Sequence, residues 1–187
     1  LLFFAVLELR ANNAPVITQG AGPHFVTVEE NSAPVSWTTW DKRFGGSSSD
    51  TGNAVIATAD GGYLIAGSSV SSTGGDKSQG SQGGSDYWAV KIDANGSKVW
   101  DKRFGGGGND RCYAVTATTD GDYLLVGTSA STASGDKSEG SRGQDDVWVV
   151  KINASGTKVW DKRFGGNTYD SGYNAIVAPD GGFLLVG

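Results

Sequence analysis

The chain has one cysteine, one histidine, four prolines and no methionine among its 187 residues. With Cys112 alone, no internal disulfide can close and no cysteine-based zinc site can be assembled. His24 is likewise single, so a histidine-based triad has almost no material. The apolar run from Leu1 to Leu7 is far short of the roughly 20 residues that a membrane helix needs. Basic residues are outnumbered, 15 Lys+Arg against 20 Asp+Glu, which gives a net charge of -5 and a pI near 4.7. There is therefore no basic stripe for nucleic acid and no polybasic patch for anionic lipid. Apolar residues make up only 37% and glycine is abundant, at 30 residues, and no window shows the three-and-four spacing of an amphipathic helix. These absences leave an all-β chain.

What the chain does have is a repeat. Trp-Asp-Lys-Arg-Phe-Gly-Gly occurs at Trp40–Gly46, Trp100–Gly106 and Trp160–Gly166, each 60 residues after the last. About 35 of the 60 positions are identical between the first two copies, with no insertion. One structural unit is being stacked. Residues that recur in every copy, among them Trp40, Trp100 and Trp160, Trp88 and Trp148, and Phe44, Phe104 and Phe164, are expected to serve the unit and its contact with the next. Chemistry, which is normally needed once, belongs among the differences.

The second copy is complete and predicts four antiparallel strands. Ala114 to Thr118 is β-prone, and Asp120-Gly121-Asp122 supplies a tight turn. Tyr123-Leu124-Leu125-Val126-Gly127 has no polar break, the pattern of a strand buried on both faces. A Ser, Gly and Asp-rich stretch, Thr128 to Asp145, reads as a long solvated loop. Val147 to Ile152 forms the third strand, and Asn153-Ala154-Ser155-Gly156 turns into the fourth, Lys158 to Phe164. A lone sheet with two apolar faces would expose one to water, so the sheets must be sandwiched. Radial stacking is the β-propeller solution, with the strand-four Trp as a wedge between sheets. The charges of strand four suit an outer edge. The expectation is an incomplete propeller of about two and a half four-stranded blades. It covers residues 39–187, with units at about 40–99, 100–159 and a partial 160–187.

Residues 1–11 read as the tail of a signal peptide, with cleavage near Ala11, or as a first strand. Residues 12–38 read as a linker or a module remnant. Both ends of the chain look like the ends of a fragment, and a propeller of four to eight blades would need further repeats.

Several segments resemble known families. Lys91 to Trp100 resembles the tryptophan-docking signature of quinoprotein-type propellers, and Gly62-Tyr63-Leu64-Ile65-Ala66-Gly67 resembles the second strand of kelch blades. The quinone enzymes' vicinal cysteines are missing. Trp-Asp-Lys-Arg-Phe-Gly-Gly, Asp-Gly-Gly-Tyr-Leu, Gly-Asp-Lys-Ser and Asp-Tyr-Trp-Ala-Val-Lys-Ile-Asp together resemble the 60-residue propeller-type repeats of large secreted bacterial proteins, including those of the type IX secretion route. Asn13-Ala14-Pro15-Val16-Ile17-Thr18 and Val26 to Val35 resemble the opening of cadherin-like modules in bacterial adhesins. The resemblance implies an extracellular or cell-surface location and a scaffold or adhesion role. The alternative is part of a secreted carbohydrate-processing or other surface enzyme whose catalytic residues lie elsewhere. The residues single out no catalytic group.

Oxygen ligands recur only in the long loop. Asp76, Ser78 and Asp86 in one copy, and Asp136, Ser138 and Asp146 in the next, are the calcium candidates, since hard cations take six to eight oxygens. The loops lack the alternating-Asp pattern and contain Lys77 and Lys137, which favours a solvated loop whose Asp and Ser make local turns. The same loops are the expected contact with a protein or carbohydrate partner. Gly45-Gly46 and Gly105-Gly106 read as turn glycines rather than a phosphate loop, because no helix or Lys-Ser/Thr follows. Cys112, which stands where the other copies have Gly52 and Gly172, reads as a small buried residue rather than a reactive thiol.

Overall fold

The computed structural model describes residues 2–6, 16–19, 26–29 and 40–187. The expected cleavage point near Ala11, His24 and residues 36–39 of a repeat strand that the sequence predicts over 36–44 lie outside the described residues. All fourteen described elements are strands. Three lie in the N-terminal segment: β1 (Leu2–Val6), β2 (Val16–Gln19) and β3 (Val26–Glu29). β2 and β3 form an antiparallel hairpin in which Ile17 opposes Val28. Chain contacts divide the molecule into residues 4–42 and a larger unit that comprises 43–187 with residues 1–3.

The repeats contain β4 (Trp40–Phe44) and two four-stranded sheets. β5 (Asp50–Ala57), β6 (Tyr63–Ser69), β7 (Asp86–Ile92) and β8 (Lys98–Phe104) form the first, in chain order. β9 (Asp110–Ala117), β10 (Tyr123–Ser129), β11 (Asp146–Ile152) and β12 (Lys158–Phe164) form the second. β13 (Asn174–Val177) and β14 (Phe183–Val186) make a hairpin. The four antiparallel strands expected per unit are therefore present, and the last span holds two strands around Asp180-Gly181, where Gly181 has φ 83°. Positive φ at such a turn position is the conformation glycine adopts without steric cost.

In the second sheet the first strand begins at Asp110, four residues before the β-prone run from Ala114, because it continues through a bulge. Cys112 opposes Gly127 and Ala114 opposes Val126, which leaves Tyr113 as the extra residue. The same break falls between Gly52 and Ala54, with Asn53 left over. A bulge kinks the strand and re-aims a side chain.

Alternation along the strands explains the stacking. On β10, Tyr123 and Leu125 join Trp148, Val150 and Ile152 of β11 in one core, packed against Leu64, Ala66, Tyr87 and Ala89 of the first sheet. Leu124 and Val126 face the other way and join Val149 in a second core with Ala175, flanked by Phe183 and Leu185 of the hairpin. Both faces of β10 are thus buried, as its unbroken apolar run predicts. Tyr87 locks the first two sheets together: its ring lies 4.8 Å from that of Trp148 and its hydroxyl donates to the Trp148 carbonyl at 2.8 Å. The hydroxyl occupies the space left by Gly127, where a Cβ would lie 2.7 Å from it and 1.9 Å from the Arg111 carbonyl.

The strand-four tryptophans act between repeats. The Trp100 ring rests on the β11–β12 turn, 3.1 Å from where a Cβ on Gly156 would sit. Trp160 meets Phe183 of the hairpin at 6.2 Å between centroids. Trp40 is half-buried. Phe44 and Phe104 are buried, but Phe164 is 50% exposed. It lies beside a small cleft of about 130 Å³ between β12 and the hairpin, because two strands cover less of the sheet than four.

Candidate functional site

The connectors between sheets, Gly45–Ser49 and Gly105–Asn109, and the long loops 70–85 and 130–145 form one hydrogen-bonded system. Asp76 N–H donates to the Gly45 carbonyl and Asp136 N–H to that of Gly105. On the far side, Gly84 N–H donates to the Gly108 carbonyl. Each long loop is therefore tied to the connector before its own sheet, and loop 70–85 also to the one after it. The glycine pairs do form an anion-binding turn of backbone amides, but its occupants are the protein's own carboxylates. Gly46 N–H donates to Asp50 Oδ2 at 2.8 Å and Gly45 N–H to Asp76 Oδ2 at 3.1 Å. Gly106 N–H and Gly105 N–H do the same to Asp110 and Asp136.

Two expectations are corrected by this region. The loops are not solvated throughout: Ser71 and Ser131 are fully buried, and Lys77 and Lys137 are each 3% exposed. Nor are the strand-four charges simply edge charges, for Asp101 and Asp161 are buried while Val99 and Val159 on the same strands are exposed. The reason is a polar network that short-range sequence patterns do not reveal. Asp101 Oδ2 accepts from the Trp88 indole at 3.1 Å and from Ser78 N–H at 2.9 Å, and Oδ1 accepts from Lys98 at 3.0 Å. Asp161 repeats the arrangement with Trp148, Ser138 and Lys158. Burial opposes ionisation of Asp101, but the Ser78 amide, the Lys98 ammonium and the Trp88 indole together hold its carboxyl below the usual range. Lys77 lies over the Trp88 ring, 5.0 Å from its centroid, and burial lowers its pKa against the pull of Asp50, Asp101 and Asp86.

The calcium candidates fall within this network. Asp76 and Asp136 accept from connector glycines, and Ser78 and Ser138 donate their backbone amides to Asp101 and Asp161. Asp86 and Asp146 accept from the amides of Gln82 and Arg142. Among the described residues, no three His, Cys, Asp or Glu side chains come together as a metal site. Cys112 is fully buried, and burial pushes its thiol up to about 12. That fits the packing role read from sequence.

Asp86 carries a testable pH dependence. Its carboxyl is fully buried, with Arg103 Nη1 at 3.9 Å, whereas the equivalent Arg163–Asp146 distance is 3.3 Å. Burial pushes Asp86 up to about 6, aided by Asp110 and opposed by the Gln82 amide, Arg103 and Lys77. A carboxyl raised in the folded state favours folding below its unfolded pKa, near 3.8, and loses that contribution as pH rises through about 6. Asp86→Asn should therefore gain stability relative to wild type between pH 4 and pH 7. Urea melts at the two pH values read the difference, and a constant difference would refute it.

Sequence reasoning missed the bulge residues. Asn53 is exposed and reaches the next sheet, where its side-chain amide donates to the Cys112 carbonyl at 2.7 Å. Tyr113 reaches the hairpin and packs on Tyr173 at 5.7 Å, with 35° between rings. The signal was present as a position that changes from Asn53 to Tyr113 to Tyr173 within otherwise similar copies. Comparison with protein-family models gives no match, and the search of curated proteins finds no relative.

Proposed function

We propose that the chain is a non-enzymatic extracellular or cell-surface repeat scaffold for binding or adhesion, its 60-residue units being blades of a β-propeller. The observation that carries this reading is a division of labour among positions. Shared residues such as Trp88, Trp148, Asp101 and Asp161 are buried in stacking faces and in the loop network, while positions 53 and 113 differ and lie at the bulges of first strands, and 173 lies just before β13. A rigid frame that presents variable edge residues is what a binding scaffold requires. The propeller arrangement draws support from the repeat geometry. Leu184 and Val186 are exposed, yet they stand 60 residues after Leu124 and Val126, which pack against the hairpin that follows. Radial stacking gives every such face a partner.

Surface labelling of intact cells of the source organism, together with adhesion of beads coated with the purified chain, tests the reading. Labelling and saturable adhesion are expected, and an internal location or inert beads would overturn it. Adhesion and melting temperature should be unchanged by a chelator or by millimolar calcium, because one oxygen of each candidate carboxylate already serves the protein's own amides. A calcium-dependent rise in melting temperature, lost in Asp136→Asn with Asp146→Asn, would instead make the loops calcium-dependent adhesion elements.

A further inference from the structure

Three substitutions that distinguish the second repeat from the first meet at one place. Thr51, Asn53 and Ser85 of the first copy become Arg111, Tyr113 and Asp145 in the second. Their neighbours Asp50 and Asp110, and Asp86 and Asp146, are unchanged. Arg111 opposes Thr128 in register, which places it on the face turned to the hairpin, and Tyr113 reaches the same way to stack on Tyr173. Asp145 approaches Arg111 at 4.0 Å, and its carbonyl accepts from Asp170 N–H, which anchors it beside the same junction. Tyr173 is 60% exposed. Arg111 is exposed, and Tyr113 and Asp145 are half-buried at the rim of this junction. Both members of the ion pair keep open hydrogen-bonding positions, since a 4.0 Å separation is too long for a hydrogen bond.

We propose that Arg111, Tyr113, Asp145 and Tyr173 form a carbohydrate-binding edge for a neutral, hexose-based glycan. This rests on the binding-scaffold reading above and names its ligand. A pyranose ring has an apolar C–H face and a rim of hydroxyls. The two tyrosines, 5.7 Å apart and tilted by 35°, supply an aromatic edge for the first, and a guanidinium beside a carboxylate supplies donors and acceptors for the second. The bulge is what makes this possible, because it turns Tyr113 out of the sheet ladder while the buried frame stays unchanged. A phosphate-bearing partner is disfavoured by Asp145 and by the net charge of -5. A purely apolar partner would leave the ion pair without hydrogen bonds.

The test is affinity electrophoresis of the full chain in gels containing laminarin, galactomannan or hydroxyethylcellulose, with alginate and heparin as acidic probes. Retardation is expected in at least one neutral gel. Tyr113→Ala and Tyr173→Ala should each weaken it by about tenfold or more, Arg111→Ala and Asp145→Asn by several-fold, and Asn53→Ala should leave it unchanged. Far-ultraviolet circular dichroism and melting temperatures confirm that each variant folds, and Tyr113→Phe and Tyr173→Phe retain the stacking surface if an alanine variant does not. Binding to acidic probes alone, or neutral-glycan binding indifferent to the tyrosines, overturns the proposal. No retardation in any gel also overturns it, and the scaffold reading then stands or falls separately on bead adhesion.

Discussion

Replacing Trp148 with alanine is expected to lower the unfolding free energy by roughly 3–5 kcal/mol, the range for removing a fully buried large aromatic. Trp148 is fully buried and makes three contacts. Its ring meets Tyr87 of the neighbouring sheet, its carbonyl receives the Tyr87 hydroxyl, and its indole donates to Asp161 at 3.0 Å. Truncation therefore opens a cavity in the inter-sheet core and takes one donor from a buried carboxylate. Trp160→Ala provides the comparison, since Trp160 is only half-buried against the hairpin and should cost less than half as much. Urea unfolding of the two variants measures both. A Trp148→Ala loss below about 1 kcal/mol, the net worth of an ordinary hydrogen bond, would show that the stacking contact does not hold these sheets together.

A loss of similar size, roughly 3–5 kcal/mol, is expected for Asp101→Ala, as for any change that removes one partner from a buried charge network. The substitution leaves the Trp88 indole and the Ser78 amide without their acceptor and frees Lys98 from its 3.0 Å contact. The internal control is Asp41, the same residue of the Trp-Asp-Lys-Arg-Phe-Gly-Gly block one repeat earlier, which is exposed. Asp41→Ala should stay within about 0.5 kcal/mol of wild type, the usual range for a surface substitution. Equal effects at the two sites would mean that the network contributes little and that the repeat identity at this position has another cause. At low pH the Asp101 variant should approach wild type. A carboxyl whose pKa is lowered by folding contributes above its unfolded pKa, and that contribution is lost as pH falls through the folded value.

The repeat made the element order legible. Tyr123 to Gly127 announced a strand buried on both faces, Asp120-Gly121 a turn, and the 60-residue return of Trp100 and Trp160 a contact between units. The polar residues were misread because burial of a charge depends on partners distant in sequence. Ser78 and Asp101 are 23 residues apart, and Asn53 and Cys112 are 59 apart. Lys77 looked like a solvated loop lysine for the same reason: nothing adjacent to it in the chain is the Trp88 ring beneath it.

By itself the sequence determined the class, the period and the strands, because alternation, turn glycines and unbroken apolar runs act over a few residues and recur in every copy. It also excluded an internal disulfide, since one cysteine has no partner in the chain before any fold exists. Only the tertiary structure decided which charges are buried, which carboxylates fill the glycine connectors, and where the bulges turn Asn53 and Tyr113 out of the ladder. Those outcomes depend on strand register and on how one sheet meets the next. Both are set by packing between segments tens of residues apart.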